Sequence, residues 1–327
     1  METTNVTKLF EYLDQTSDKL AHQSQLTYLE ALAEAGDNLF EGTILQSLSP
    51  ADEEEVQELL DKVKQLEWKQ EEVRKAFQLG VIKGMKGAVQ PNHSMTPDAV
   101  SLFISYLVNK LVQDRENTEL LDLAVGSGNL LFAICNNATT PIEASGFEVD
   151  ETLLKNAYSS ANLQQHQIHL YHQDSLQVVP QKTDLVVSDL PIGYYPKDDV
   201  ASSFELKAKE GHSYIHHLMI EQGIKSLNDG GFALFVIPNF LFESDQSAAL
   251  HAYLKKDAVV LGLLQLPSSM FSNVQQQKSI LLLQKKKEGI PVPQQALFAE
   301  LPTFSNKEAM QDMVKQINRW FEEQLKR

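Results

Sequence analysis

The sequence predicts an α/β fold, a mostly parallel sheet with helices on both faces, preceded by a helical N-terminal region. Three observations carry this reading. From about residue 97, apolar runs of strand length alternate with segments of helical period. Residues 1 to about 85 show helical periodicity and almost no strand signal. Between them in importance stands Leu120-Leu121-Asp122-Leu123-Ala124-Val125-Gly126-Ser127-Gly128-Asn129-Leu130-Leu131, an apolar strand, a turn with two glycines and a helix start.

The elements follow in order. In the N-terminal region the clearest helix begins Ser49-Pro50-Ala51-Asp52-Glu53-Glu54-Glu55. Ser49 serves as N-cap, Pro50 suits the first turn, and the acids complement the helix dipole. Its apolar positions Val56, Leu59, Leu60, Val63, Leu66 and Trp68 continue to about Phe77, with Gly80 as a stop and Gly80–Gly87 as a linker. This places a helical domain at 1–88 and a second domain at 89–327. In the second domain the pattern predicts helix 97–113, strand 119–124, helix 128–137, strand 143–148 and helix 150–162. Strands near 167–171 and at 184–188, and a helix near 213–227, come next. Strands at 232–237, 259–266 and 278–285 and a helix at 306–325 complete it.

Composition bounds the function. A chain of 327 residues, 43% hydrophobic, can bury a sizeable core. No apolar run approaches the ~18 residues of a membrane span, and the polar, acidic N-terminus lacks signal-peptide character. A single cysteine, Cys135, excludes an internal disulfide framework and suits a reducing cytosol; its place after the glycine turn reads as packing. The net charge of −16 argues against tight, sequence-independent phosphate binding, with Lys255-Lys256 and Lys285-Lys286-Lys287 as local exceptions.

The glycine turn sets the chemistry. A nicotinamide fingerprint would want a third glycine where Leu131 stands. Asp122 at the strand end instead gives D-x-x-x-G-x-G, which fits an S-adenosylmethionine (SAM) site. Glu148, in Gly146-Phe147-Glu148-Val149-Asp150, ends the second strand and can accept both ribose hydroxyl hydrogens of a nucleoside. Asp174, in His172-Gln173-Asp174-Ser175, follows the third strand and can accept an adenine amino hydrogen. Ser188-Asp189-Leu190-Pro191-Ile192-Gly193-Tyr194-Tyr195 ends the fourth, where the transferring group would sit. Each acid alone could be a helix cap; four polar sites at successive strand ends read as a nucleoside site.

Residues 91 to 287 resemble class I SAM-dependent methyltransferases of the N6-adenine DNA methyltransferase family. They are most similar to methylation subunits of type I restriction systems and to stand-alone YtxK-like proteins of Gram-positive bacteria. The resemblance runs through Ser94-Met95-Thr96-Pro97-Asp98, the glycine turn, and Gly230-Gly231-Phe232-Ala233-Leu234-Phe235-Val236-Ile237-Pro238-Asn239. It ends in Leu264-Gln265-Leu266-Pro267-Ser268-Ser269-Met270-Phe271 and Ser279-Ile280-Leu281-Leu282-Leu283. It implies that Thr96, Asp122, Ala124, Gly126 and Gly128 hold the methionine end of SAM. It likewise implies that Glu148 with Val149 takes the ribose, and Asp174 with Ser175 the adenine. Thr96 has a plain alternative as helix N-cap before Pro97. The catalytic positions would be Asp189, Leu190 and Pro191, with the Asp189 oxygen and the Leu190 carbonyl orienting an amine lone pair at the SAM methyl. The family's fourth position is aromatic and stacks on a flipped-out base; here it is Ile192. Tyr194 and Tyr195 lie nearby, with a packed loop as their plain reading.

The expected activity is therefore methyl transfer to an amine nitrogen, with adenine N6 in DNA as the favoured acceptor. A methyltransferase of RNA, protein or a small molecule, and a SAM-binding accessory protein without turnover, are the alternatives. Only about 40 residues follow the last core strand, too few for a separate recognition domain, so DNA recognition would come from another subunit. His212, His216 and His217 lack a completing carboxylate and read as surface or loop residues, not a metal site. Trp68 and Trp320 read as packing anchors. Met310, Met313, Val314, Ile317, Trp320 and Phe321 form an amphipathic stripe that could serve self-association, as could the N-terminal helices, in a homodimer. A bacterial, cytoplasmic protein with no membrane attachment and no metal is expected.

Overall fold

The computed structural model describes residues 4–86, 95–179, 181–290 and 292–325. Ser94, Gly87 and the expected 88/89 domain boundary lie outside them. The chain divides into two compact units. The first comprises Met1–Ser101, Val125–Asn137 and Gly146–His172, and the second Leu102–Ala124, Ala138–Ser145 and Gln173–Arg327.

The first unit opens with four helices, α1 (Asn5–Ser24), α2 (Tyr28–Glu41), α3 (Pro50–Lys64) and α4 (Gln70–Lys86). Capping defines their starts. Thr27 and Glu30 form a reciprocal capping box at α2, and Ser49 with Pro50 opens α3 as the sequence predicts. Their apolar stripes meet in one core that includes Leu9, Leu13, Leu20, Leu32, Leu60 and Phe77. The single long helix expected from Ser49 to Phe77 is instead two. Val56, Leu60 and Val63 are buried on α3, whereas Val73, Phe77 and Val81 are buried on α4. The chain leaves the helix between them, at residues 65–69. The break frees Leu66 and Trp68 to pack against the bundle core, and Glu72 accepts the Lys69 N–H at 2.8 Å to start α4. Gly80 is not a stop and residues 80–86 are not a linker: α4 runs through both. A Cβ at Gly80 would press on the Leu32 methyl groups, so its smallness lets α2 and α4 approach.

The alternating region forms an eight-stranded, mostly parallel sheet in the order β3-β2-β1-β4-β5-β7-β6-β8. Its strands are β1 (Thr118–Asp122), β2 (Ile142–Glu148), β3 (His169–His172), β4 (Thr183–Asp189), β5 (Leu227–Pro238), β6 (Ala258–Gln265), β7 (Lys278–Lys285) and β8 (Leu297–Glu300). The helices are α5 (Asp98–Val112), α6 (Asn129–Asn136), α7 (Glu151–Leu163), the short α8 (Asp198–Ala201), α9 (Ile215–Ser226), α10 (Ser247–Asp257) and α11 (Lys307–Trp320). β1 pairs parallel to β4 and β4 parallel to β5, while β7 runs antiparallel to both β5 and β6. Phe232 to Ile237 are buried throughout, as befits a central strand covered on both faces. Every strand and helix predicted from residue 97 onward has its counterpart. The four-residue α8, and α10 and β8, were not predicted; of the last two, β8 has only four residues and α10 just three buried residues, so neither offers a clear period. No helix among the described residues is long and apolar enough to cross a membrane.

Candidate cofactor and acceptor sites

In the first unit the glycine loop is built by backbone hydrogen bonds. The Val125 N–H donates to the Phe147 carbonyl at 2.9 Å, and the Gly128 N–H to the Val125 carbonyl at 2.9 Å. Gly126 and Gly128 take φ of +56° and +84°, the left-handed region that favours glycine. A side chain at Gly128 would collide with the Phe132 ring, whereas at Gly126 it would project into open space. Gly126 thus presents bare backbone to a ligand, and its N–H is fixed by the buried Glu148 at 2.8 Å. The other Glu148 oxygen accepts from the Val149 and Asp150 N–H groups at 2.8 and 2.9 Å. Three of about four lone-pair positions of this carboxylate are filled by backbone. Glu148 therefore shapes the loop and retains room for one further donor. Val149 is exposed beside it. Thr96 is buried, and its carbonyl accepts from the Asn129 side chain at 3.0 Å.

In the second unit Asp122 is buried, and one of its oxygens accepts from the Ala124 N–H at 3.0 Å and the Ser188 hydroxyl at 2.7 Å. The parallel register of Leu121 with Val186 brings the ends of β1 and β4 together. Asp174 accepts from the Leu176 N–H, capping the short 3-10 turn Ser175–Gln177, and from the Tyr195 hydroxyl at 2.7 Å. Burial alone would raise its pKa, but Tyr195, Gln177, the Leu176 N–H and Lys197 outweigh it and hold the carboxyl below its usual range. Ser175 is buried, and its carbonyl accepts from Gln222 at 2.7 Å.

At the end of β4, Asp189 is ion-paired to Lys278 at 2.7 Å, both side chains mostly buried. The antiparallel pairing of β5 with β7 delivers this lysine: Lys278 lies opposite Pro238, just past Val236, the partner of Asp189. The Leu190 N–H donates to the Val236 carbonyl at 3.1 Å. The loop that follows is pinned by Ile215 N–H to Gly193 carbonyl and Tyr195 N–H to Ser213 carbonyl bonds of 3.0 and 2.8 Å. Tyr195 is packed, as expected. Tyr194 is not: it is 60% exposed and stacks on Tyr214 with ring centres 4.9 Å apart and planes 14° apart.

The histidines differ from expectation. His212 is exposed against Asp198, but His216 and His217 lie fully inside α9 instead of on a surface or loop. Their neighbours on that helix, Leu218, Met219 and Ile220, are buried too, so α9 is enclosed on every side. Burial, helped by His217, pushes His216 down to about 3, and burial pushes His217 down to about 4. No group of three or more metal-ligating side chains occurs among the described residues. Burial raises Cys135 to about 12, an inert packing thiol.

Three buried or partly buried bonding residues, Lys278, Arg74 and Asn129, were not singled out in the sequence. Lys278 sits at the first position of a predicted strand, where nothing local marks it. Arg74 interrupts an otherwise apolar helix face between Val73 and Phe77, a signal that was there to read.

Comparison with known proteins accords with this geometry. Residues 90–326 match the family model for N-6 DNA Methylase, and residues 7–85 that for the YtxK N-terminal helical domain. The chain is 46% identical to the uncharacterized protein YtxK of Bacillus subtilis (strain 168), over 99% of this chain and 100% of that one. A crystal structure from Listeria monocytogenes, provisionally assigned as a class I SAM-dependent methyltransferase, shares 35% identity at a TM-score of 0.90. The match covers 97% of this chain and 99% of that one. The methyltransferase subunit of a type I restriction-modification system from Streptococcus thermophilus shares the fold at a TM-score of 0.68 and 16% identity, covering 97% of this chain and 74% of that one. The family and fold imply SAM as cofactor, and the open backbone at Gly126 beside the buried Glu148 fits such a ligand. On the match over residues 90–326 and its Rossmann-like sheet, the chain belongs to the N-6 DNA methylase family of SAM-dependent methyltransferases.

Proposed function

We propose that this chain transfers the methyl group of SAM to the exocyclic amine of a planar base, with adenine N6 in DNA as the acceptor. The observation that carries the reading is the series of acids at the ends of successive strands, Asp122 on β1, Glu148 on β2, Asp174 after β3 and Asp189 on β4. Bound SAM supplies an electrophilic methyl on a positive sulfonium. Thr96, Asp122, Ala124, Gly126 and Gly128 hold its methionine end, Glu148 and Val149 its ribose, and Asp174 and Ser175 its adenine. Asp189 and the Leu190 carbonyl accept hydrogen bonds from the acceptor amine, with Pro191 fixing the turn that aims them. Lys278 locks the Asp189 carboxylate in one orientation.

Ile192 cannot stack on a base, but the exposed Tyr194, backed by Tyr214, offers an aromatic face two residues on. That face favours a ring-shaped acceptor over a protein side chain or an aliphatic metabolite. We assign residues 1–88 to a helical domain and 89–327 to the methyltransferase domain. The acidic chain carries no basic domain for gripping a duplex, so a separate subunit supplies DNA recognition. A second reading, a SAM-binding protein without turnover, draws on the Asp189–Lys278 ion pair, which already engages the acid.

Methyl transfer from radiolabelled SAM into a lysate of cells lacking the protein separates these readings. Nuclease-sensitive label in DNA, mapped to adenine N6, is the expected outcome. Label in RNA, protein or small molecules would replace the acceptor, and SAM binding without label would favour the second reading.

A further inference from the structure

We infer that Arg74, on the helical N-terminal region, is a positioning residue that holds the glycine loop through Asn129 and thereby sets SAM affinity. The affinity clause rests on the cofactor reading above; the loop clause does not.

The guanidinium of Arg74 is 1% exposed. Its Nε and Nη2 donate to Glu71 at 2.8 and 2.6 Å, Nη2 also donates to Asp98, and Nη1 donates to the Asn129 side-chain oxygen at 2.6 Å. Asn129 is the first residue of α6, directly after Gly128. Its amide nitrogen passes the link to the Thr96 carbonyl at 3.0 Å. Asp98, the first residue of α5, lies two residues beyond Thr96. One arginine of α4 thus reaches both segments assigned to the methionine end of SAM. The far end of α6 is tied to the same helix, because Asn136 donates to Glu71 at 3.1 Å. Both ends of the helix that follows the glycine loop are therefore fixed to α4.

The chemistry of the residue matters here. A buried cation is costly unless it is paired and hydrogen-bonded, and a planar fork can serve two carboxylates and an amide oxygen together. A role confined to gluing helices would be met by Glu71 and Asp98; it would not place the one remaining Nη1 bond on the residue next to Gly128. Helix α4 carries an internal comparison, Lys83, which pairs with Asp14 and Asp18 in the helical bundle and bonds to nothing in the loop.

The test measures two quantities on the full chain for wild type, Arg74→Met, Asn129→Leu and Lys83→Met. The first is amide hydrogen exchange across Val125–Ala133 without ligand; the second is SAM affinity by calorimetry. Arg74→Met and Asn129→Leu are expected to speed loop exchange and weaken SAM binding, each by about tenfold, as for loss of a buried hydrogen bond. Lys83→Met should change neither. Asn129→Leu leaves Arg74 with both carboxylates, so it decides the question if Arg74→Met does not fold. Wild-type exchange across the loop in both loop variants would overturn the proposal, whatever their melting temperatures. Faster exchange with unchanged SAM affinity would overturn its affinity clause. If wild type itself binds no SAM, the cofactor reading falls, and loop exchange alone decides whether Arg74 holds the loop.

Discussion

At the scale of single residues, the two acids assigned to binding and to transfer should separate cleanly. Glu148→Ala removes the acceptor for three backbone N–H groups, including that of Gly126, as well as the proposed ribose partner. SAM affinity should fall by at least tenfold, roughly the ~1–3 kcal/mol of unsatisfied buried donors, as calorimetry would measure. Asp189 bonds to Lys278. Asp189→Ala should keep SAM affinity within a few-fold and abolish labelled product. Product formation at the wild-type rate would remove Asp189 from the mechanism. The sequence placed Asp122, Glu148, Asp174 and Asp189 at strand ends correctly, because a strand end is marked locally by where an apolar run stops. Their partners Ser188, Tyr195 and Lys278 come from sheet register and loop return, which no local pattern encodes.

At the scale of elements, α9 shows how a helix can be buried on all sides. Its Glu221 is fully buried and accepts the Glu205 and Leu206 N–H groups at 3.0 and 2.7 Å and the Lys225 ammonium at 2.5 Å. It anchors residues 205–206, ahead of the helix, to the helix itself. Glu221→Ala leaves two backbone donors unmatched and should cost about 3 kcal/mol in urea denaturation. A change under about 1 kcal/mol would mean that water replaces the carboxylate. Helix periodicity found α9 but mistook the site of His216 and His217, since period alone does not reveal how many faces are covered. The same limit explains the split of the expected 49–77 helix. Each half is amphipathic, and only the requirement that both stripes meet one core puts a break at residues 65–69.

At the scale of the whole molecule, the two buried histidines tie stability to pH. Both are held neutral in the folded chain, with values lowered to about 3 and about 4 from an ordinary 6.5. The unfolded chain therefore binds more protons between these values. Their contribution is complete above pH 6.5 and is lost as pH falls toward 4 and 3. At pH 5 the penalty is about 2 kcal/mol for each histidine. The urea midpoint should fall between pH 7.5 and 5, and His216→Phe should flatten that fall. An unchanged slope in the variant would show that other groups govern it.

Fold class, the strands and helices from residue 97 other than α8, α10 and β8, and the residue types of the glycine loop were determined by sequence alone. They follow from local rules: apolar period, glycine where φ must be positive, and acids where strands end. Tertiary structure decided which of those residues touch. The antiparallel β7 brought Lys278 to Asp189, the return of residues 213–215 exposed Tyr194 on Tyr214, and the fold of the helical region carried Arg74 to Asn129. Each joins residues 20 to 89 positions apart. Such pairings depend on register and packing phase, which a chain acquires only when its elements bury their apolar faces together.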